Sequence, residues 1–297
     1  MLKLEPVNLT NCDREPIHIP GRIQLPGCLL ACDANFTTIL RHSRNARAML
    51  GADGDLNGRP VEGILGADIL HRLRNALNTS RVAARPALLF ALPLPSGGSF
   101  DIAIHQFRST VIAEFEPASA PGRPLEIARD LIGRITEIED VDRLVAQAAR
   151  LVRAILDYDR VMVYRFEQDG AGKVVSEVKR HDLESFLGQY FPASDIPQQA
   201  RALYLRNTIR IISDARGLSV PVEPVVDLSG EPLDLSYAHL RSVSPIHLEY
   251  LRNMGVAASM SISIIVDGAL WGLIACHHYA PRAPPMSERV AMEMFGE

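Results

Sequence analysis

The sequence has little of what marks three broad classes of protein. Four cysteines in 297 residues, with no CxxC pair, exclude a dense disulfide framework and suit a reducing compartment. The longest uncharged apolar stretches, such as residues 87–94 and 258–266, are far shorter than the ~20 residues that cross a bilayer. Lys and Arg number 31 against 35 Asp and Glu, without the basic surplus that neutralises phosphates. We therefore expect neither a membrane nor a nucleic acid as partner.

The sequence also lacks a secretory signal and the glycine-rich motifs of nucleotide-binding loops. Residues 1–10 contain no apolar core of a secretory signal, so a cytoplasmic protein is the default expectation. No glycine-rich fingerprint of a dinucleotide or phosphate-binding loop is visible either. A nucleotide phosphate site of these two kinds is therefore not expected.

The composition is that of a globular chain with two domains. Hydrophobic residues make up 47% and charged residues 22%, and the length is sufficient for two cores at about 100–200 residues per domain. A stretch rich in Pro, Ala, Ser and Gly at residues 117–124 is the predicted linker. The expected domains are therefore residues 1–120 and 121–297.

Hydrophobic periodicity predicts strands and helices in both halves. Strands are predicted at residues 29–32, 37–40, 87–92, 100–107, 111–115, 160–167, 173–179, 209–213, 258–266 and 270–278. Helices are predicted at residues 67–77, 125–138, 141–156, 198–205 and 246–254. Asp267-Gly268 predicts a tight hairpin turn between the last two strands. Residues 214–241 show no convincing periodicity, and so long a loop inside a compact domain suggests a function.

Polar residues of the second half offer several kinds of chemistry. Ser259, Ser261 and Ser263 recur at a spacing of two, which gives one strand face a row of hydroxyls or simply a solvent-exposed polar face. Arg210 and Arg241 could form a pair of forked donors for carboxylates, or be ordinary surface charges.

The cysteines differ in what they could do. In Cys276-His277-His278, adjacent side chains on a strand point to opposite faces, which disfavours a common metal ion. Cys12 lies in a polar stretch and looks available for reaction, whereas Cys28 and Cys32 lie in an apolar run and are expected in a core. A Cys/His nucleophile would draw on Cys276 or Cys12, but no nucleophile signature surrounds either residue.

Five motifs in one order resemble the photosensory half of a bacteriophytochrome, a biliverdin-binding red-light receptor. They are CDREPIHIPG at 12–21, DRVMVYRF at 159–166, FPASDIP at 191–197, SPIHLEYLRNMG at 244–255 and LWGLIACHH at 270–278. The resemblance implies an α+β fold, with a PAS domain followed by a GAF domain, each a central antiparallel sheet with flanking helices. It also implies that the N-terminal segment around Ile23 is threaded through the loop at 214–241 as a knot.

The resemblance further implies a cofactor, biliverdin IXα, joined to Cys12 by a thioether. Relatives that carry more reduced bilins attach them through a GAF cysteine, and this position is Ile246 here. The implied pocket residues are Tyr164, Phe191, Asp195, Ile196, Pro197, Tyr204, Arg210, Arg241, Ser244, Ile246, His247, Tyr250, Ser259, Ser261 and His277.

Each group of pocket residues has an implied role. Arg210 and Arg241 bind the propionates with help from Tyr204, Ser259 and Ser261. The carbonyl of Asp195 and the imidazole of His247 lie beneath the ring nitrogens, and His277 donates to the D-ring carbonyl. The aromatic side chains Tyr164, Phe191 and Tyr250 surround the D ring.

The implied function is red/far-red light sensing by light-driven Z/E isomerisation of the bilin. The chain stops inside the expected last GAF helix, before any PHY or kinase module, so no enzymatic turnover is expected. The intact receptor is expected to be a homodimer. Two alternatives stay open: a GAF module that binds a cyclic nucleotide or haem without covalent pigment, and a Cys/His hydrolase.

Overall fold

The structure, a computed structural model, describes residues 15–79, 85–119 and 123–296. These residues form two compact units. The N-terminal unit contains the described residues of 18–119 together with 217–242, and the C-terminal unit contains 15–17, 123–216 and 243–296. A single cut near residue 120 would place residues 15–17 in the N-terminal unit and residues 217–242 in the C-terminal unit. In the structure each of these two segments belongs to the other unit.

Strands and helices alternate along both units. The strands are β1 Arg22–Ile23, β2 Cys28–Cys32, β3 Ile39–Ser43, β4 Ala87–Pro93, β5 Ser99–Phe107, β6 Thr110–Pro117, β7 Arg160–Phe166, β8 Gly172–Lys179, β9 Tyr190–Phe191, β10 Ile209–Ile212, β11 Val220–Glu223, β12 Ala258–Val266 and β13 Ala269–His278. The helices are α1 Ala46–Met49, α2 Glu62–Leu65, α3 Ala67–Thr79, α4 Pro124–Gly133, α5 Val141–Leu156, α6 Gln198–Tyr204, α7 Pro245–Asn253 and α8 Met286–Gly296. No helix of the described residues is long and apolar enough to span a membrane.

The N-terminal unit is built on a seven-stranded antiparallel sheet, and its central strand β2 is buried on both faces. The strand order is β1-β11-β3-β2-β6-β5-β4. On β2, Cys28, Leu30 and Cys32 face a core that includes α2 and α3, as expected for these two cysteines. The alternate residues Leu29 and Ala31 pack against the segment 217–242. Because successive side chains of a strand point to opposite faces, this apolar run is buried on both sides.

Segment 217–242 encloses residues 18–24 of the same unit on two sides. Strand β1 pairs with β11 through Ile23 and Val220, and Ile23 also forms a bridge to Arg241. The prediction that residues 214–241 contain no regular structure is wrong over β11. This strand forms by pairing with β1 and β3, and hydrophobic periodicity within the segment does not reveal such pairing. Enclosure by both parts of the segment agrees with the predicted threading, and the knot itself stays a prediction.

The C-terminal unit is built on a six-stranded antiparallel sheet in the order β10-β12-β13-β7-β8-β9. Strands β12 and β13 form a hairpin in which Asp267 and Gly268 have φ values of 50° and 76°. These positive values are typical of the tight turn that Asp-Gly predicts.

One face of this sheet packs against α4, α5 and α8. Its apolar residues include Val161 and Val163 of β7 and Met260 and Ile262 of β12. The Oδ1 of Asp140 accepts a hydrogen bond of 2.8 Å from the backbone N–H of Arg143 and so caps α5. The helices fill this face, which leaves the opposite face of the sheet for other chemistry.

The predicted helix over 125–138 is too long. Helix α4 ends at Gly133, and the N–H of Arg134 donates to the carbonyls of both Asp130 and Leu131. A shared donor of this kind tightens the last turn of a helix. The sequence did not predict four elements that are too short to show the hydrophobic periodicity of a helix or strand: α1, α2, β1 and β9.

Candidate functional site

The face of the C-terminal sheet opposite the helices carries five of the candidate residues: Tyr164, Arg210, Ser259, Ser261 and His277. In the strand register Ser261 lies opposite Arg210, and Ser259 lies opposite His277. Directly paired residues of an antiparallel sheet share a face. We call this the polar face; it also carries Arg160, opposite His277, and Tyr164. The spacing of the serines on β12 therefore places them on one face, as predicted.

The serines are engaged to different extents. Ser263 donates a hydrogen bond of 2.8 Å from its Oγ to the carbonyl of Tyr204. The hydroxyls of Ser261 and Tyr204 lie 3.4 Å apart, a weak contact. These contacts join the end of α6 to the middle of β12. Ser259 and Ser261 therefore remain the hydroxyls of this row that are best placed for a ligand.

Aromatic rings cover the end of the polar face near β7. The rings of Tyr164 and Phe191 have centroids 6.0 Å apart, and Phe191 is 6.2 Å from Phe186. We call Tyr164, Phe191 and Phe186 the aromatic wall. A Cβ added to Gly172 would lie 1.7 Å from Cζ of Tyr164, so the Tyr164 ring rests where only a glycine leaves room. The hydrophobic cluster here also includes Ile196.

A second group of candidates lies between the turn before α6 and helix α7. Asp195 ends a short 3-10 turn, and Pro197 precedes α6. The hydroxyl of Tyr250 donates to Oδ2 of Asp195 over 3.5 Å. Burial raises the pKa of the Asp195 carboxyl, and the Tyr250 bond lowers it by a smaller amount. For Tyr250 itself, burial and the Asp195 charge raise the pKa to about 12.

Helix α7 presents its candidates from its first two turns. Ser244 precedes the helix, and its Oγ donates a hydrogen bond of 2.5 Å to Oε2 of Glu15. Ile246 and His247 follow the helix-starting Pro245. The rings of His247 and Tyr250, three residues apart, are stacked with centroids 6.0 Å apart and planes at 16°. Helical spacing thus brings these two rings together.

Both candidate histidines are neutral near pH 7. Burial and, to a smaller extent, the positive charge of Arg210 lower the pKa of His247 to about 4. Burial lowers the pKa of His277 to about 3, with smaller effects of Arg160 and His247. The Nδ1 of His277 is buried and has no hydrogen-bond partner among the described residues. Since a buried polar atom without a partner is costly, this nitrogen is a candidate contact for a ligand.

The two candidate arginines lie in different units. Arg210 is on β10 in the C-terminal unit, whereas Arg241 is the second-last residue of the segment 217–242 of the N-terminal unit. The side chains of both are buried. The carbonyl of Arg241 accepts a hydrogen bond of 3.1 Å from Nε2 of Gln24. A buried arginine on β10 is not an ordinary surface charge, so that alternative is wrong for Arg210.

The positions of the cysteines are relevant to the alternative that the protein is a Cys/His hydrolase. Cys12 lies outside the described residues. Cys276 is fully buried in the core between the sheet and the helices, on the face opposite to His277. Burial raises the pKa of its thiol far above the usual range, which disfavours the reactive thiolate. The position of Cys276 therefore argues against a hydrolase built on it.

Sequence reasoning missed the residues that hold the aromatic wall. Arg160 and Glu177 form an ion pair between neighbouring strands, and Phe186 lies in the loop between β8 and β9. Arg160 is part of a recognised motif, but its partner 17 residues away depends on the strand register. Nothing in the local pattern around Phe186 distinguishes it from an ordinary loop residue.

Comparison with known proteins gives consistent results over nearly the whole chain. The PAS fold model matches residues 12–118, and the GAF domain model matches residues 140–297. The bacteriophytochrome of Pseudomonas aeruginosa is 39% identical over 100% of this chain, and cyanobacterial phytochrome B of Nostoc sp. is 42% identical over 98%. The chain spans 41% and 40% of the lengths of these two relatives.

A solved structure extends the comparison to three dimensions. The chromophore-binding domain of Stigmatella aurantiaca bacteriophytochrome, in the Pr state, superimposes with a TM-score of 0.86 at 39% identity. The similarity covers 97% of each chain. From the two domain matches, the identity over the full chain and the shared fold it follows that this chain belongs to the bacteriophytochrome family and contains its PAS and GAF domains.

Proposed function

We propose that this chain is the light-sensing part of a red/far-red photoreceptor and that it binds a bilin, specifically biliverdin IXα. The observation that supports the proposal best is the polar face. It combines a buried arginine, two hydroxyls and a buried histidine nitrogen that has no hydrogen-bond partner in the described part of the chain, next to an aromatic wall. A bilin has two propionates, a terminal lactam carbonyl and a conjugated apolar body, and the face offers an arginine for a propionate, a histidine nitrogen for the carbonyl and the aromatic wall for the apolar body.

The bilin would supply the absorbing chromophore and the double bond that undergoes Z/E isomerisation. The residues of this chain bind and orient it. Arg210 would hold one propionate through its planar guanidinium, a group suited to two parallel hydrogen bonds with a carboxylate, and the hydroxyls of Ser259 and Ser261 lie on the adjacent strand. Arg241 is proposed for the second propionate on the family resemblance. Charge-assisted bonds of this type hold a propionate more strongly than neutral ones do.

The two histidines are proposed for different ends of the pigment. A neutral His247 offers a lone pair beneath the ring nitrogens, where the carbonyl of Asp195 is the second acceptor. Acceptors of this kind favour the protonated, positively charged form of the ring nitrogens. The Nδ1 of His277, to which none of the described residues bonds, is proposed to donate to the D-ring carbonyl. Tyr164, Phe191 and Tyr250 would enclose that ring.

A thioether between the Sγ of Cys12 and a vinyl side chain of biliverdin is part of the proposal. Addition of the thiol across the vinyl double bond forms the C–S bond, and the thiol proton goes to the other vinyl carbon. Ile246 offers no thiol at the position that relatives with reduced bilins use. We also propose that the chain itself catalyses no turnover and that the intact receptor is a homodimer.

The covalent link is tested by mixing the protein with biliverdin, denaturing it and detecting zinc-enhanced bilin fluorescence on a gel. The parent protein and Cys276→Ser should keep the pigment through denaturation, whereas Cys12→Ser should bind it but release it. Pigment retained by Cys12→Ser would place the link elsewhere. Absence of any biliverdin binding, with binding of haem or a cyclic nucleotide instead, would support the alternative sensor function.

A further inference from the structure

A buried ion pair lies at the edge of the polar face, next to His277. Arg160 of β7 and Glu177 of β8 form it, and each side chain is only 2% exposed. The Nη2 of Arg160 also donates a hydrogen bond of 2.7 Å to the carbonyl of Glu184. Removing two charges from water is expensive, and a well-packed apolar pair of similar volume is often at least as stable. Stability alone is therefore a weak reason for this pair.

The ion pair holds Phe186 from two sides. The guanidinium of Arg160 lies over the Phe186 ring, with Cζ 3.9 Å from the ring centroid. Both carboxylate oxygens of Glu177 lie 3.2 Å from the backbone N–H of Phe186, and Oε2 accepts a bond of 2.5 Å from the hydroxyl of Ser185. The ring and the main chain of this loop residue are thus fixed by the same two charged groups.

Phe186 in turn supports the rest of the aromatic wall. Its ring meets that of Phe191 edge to face, at 78°, and Phe191 contacts Tyr164. Phe191 belongs to β9, an edge strand of only two residues that pairs with β8 through Gly172 and Lys173. Two residues of edge strand hold a side chain weakly by themselves, so the position of Phe191 depends on the ring behind it.

We infer that Arg160 is a positioning residue for the light reaction: with Glu177 it fixes Phe186, and through Phe186 the aromatic wall that borders the isomerising ring. This inference rests on the proposed function, since the wall matters only if a pigment rotates beside it. Loosening the wall gives the excited pigment more freedom to rotate, and rotation competes with fluorescence.

The test uses the chain loaded with biliverdin and two substitutions that act at different points. Phe186→Leu removes the ring but keeps the ion pair, and Arg160→Lys keeps the charge but removes the planar surface over Phe186. Phe186→Tyr keeps a flat ring and is the conservative rescue. Arg165→Lys is the matched control: Arg165 also lies on β7, and its ion pair with Glu167 is partly exposed.

All variants should attach biliverdin. Phe186→Leu and Arg160→Lys should show a loss of fluorescence quantum yield and a shorter excited-state lifetime, whereas Phe186→Tyr and Arg165→Lys should match the parent. Unfolding of each apoprotein in urea shows whether a change in yield merely follows lost stability. If Arg160→Lys does not fold, Glu177→Gln, which removes the charge of the partner in the same ion pair, takes its place and should show the same loss of yield.

The experiment distinguishes a failure of this inference from a failure of the proposed function. Quantum yields equal to the parent in Arg160→Lys or in Phe186→Leu, with pigment attached, would overturn this inference and leave the proposed function intact. A parent protein that binds no bilin would overturn the proposed function and this inference together.

Discussion

The ring of Tyr164 lies directly against the backbone of Gly172 on the neighbouring strand, in space that any larger residue would occupy. A Cβ at position 172 would lie 1.7 Å from Cζ and 2.0 Å from the hydroxyl oxygen of Tyr164. Gly172→Ala must therefore displace the ring from the aromatic wall, and overpacking of this kind costs about 1–3 kcal/mol. We expect a lower free energy of unfolding and a changed absorption spectrum of the biliverdin complex.

The matched control for that substitution is Gly133→Ala at the end of α4. A Cβ there meets nothing within 4 Å, so the change should be neutral or stabilising by up to about 1 kcal/mol. Urea unfolding of both variants measures the difference. Equal stability and equal spectra for Gly172→Ala and the parent would show that the Tyr164 ring does not occupy this position.

Stability of the apoprotein should fall in acid because of His277. Its folded pKa of about 3 lies below its ordinary value of 6.5, so between these values the unfolded chain binds a proton that the folded chain does not. The free energy of unfolding therefore decreases as the pH falls below 6.5, and at pH 5 this one group accounts for about 2 kcal/mol.

The measurement for this prediction is urea unfolding at pH 7 and pH 5. His277→Gln should reduce the difference between the two pH values, while His181→Gln at an exposed position is the control for loss of an imidazole. A difference that is unchanged in His277→Gln would mean that this histidine does not carry the acid sensitivity.

Removal of Arg210 should weaken pigment assembly. Arg210→Ala removes a charge-assisted bond to a propionate in a desolvated site, a loss of about 1.5–3 kcal/mol, which corresponds to roughly ten- to 150-fold in affinity. Arg206→Ala, at a nearby exposed position, is the control. Biliverdin titration of the Cys12→Ser background measures affinity without the covalent step. Equal affinities for Arg210→Ala and the control would remove Arg210 from the site.

His247→Ala should make the bound pigment easier to deprotonate. Loss of an acceptor beneath the ring nitrogens destabilises their protonated form, so the apparent pKa of the pigment should fall. The deprotonated pigment then appears at lower pH in an absorbance titration, with weaker long-wavelength absorption, while the covalent link remains. Coincident titration curves for His247→Ala and the parent would leave this role to the carbonyl of Asp195.

The sequence predicted the parts of the fold and site that depend on local pattern. The alternation in β12 predicted that Ser259 and Ser261 share a face, and Asp267-Gly268 predicted the hairpin turn after it. Strand β11 was missed because its four residues become a strand only by pairing with β1 and β3 of the N-terminal unit. Its partners are set by the fold, and periodicity within residues 214–241 does not reveal them.

The sequence predicted the candidate residues of the site, but it did not predict the ion pair and the phenylalanine that hold the aromatic wall in place. Arg160 and Glu177 meet diagonally, because the register of β7 with β8 pairs Arg160 with Lys179 and Glu177 with Met162. No local rule fixes that register, so the ion pair and its contact with Phe186 required the structure. The burial that keeps His277 neutral is likewise a property of packing and not of the motif around it.

Absorption spectroscopy of the biliverdin-loaded chain, before and after red illumination, tests the central claim most directly. The account predicts a long-wavelength absorption band in the dark that decreases under red light and changes again in the subsequent dark period, as the pigment isomerises and returns. Failure of the chain to bind biliverdin, or a bound pigment whose spectrum does not respond to red light, would contradict it.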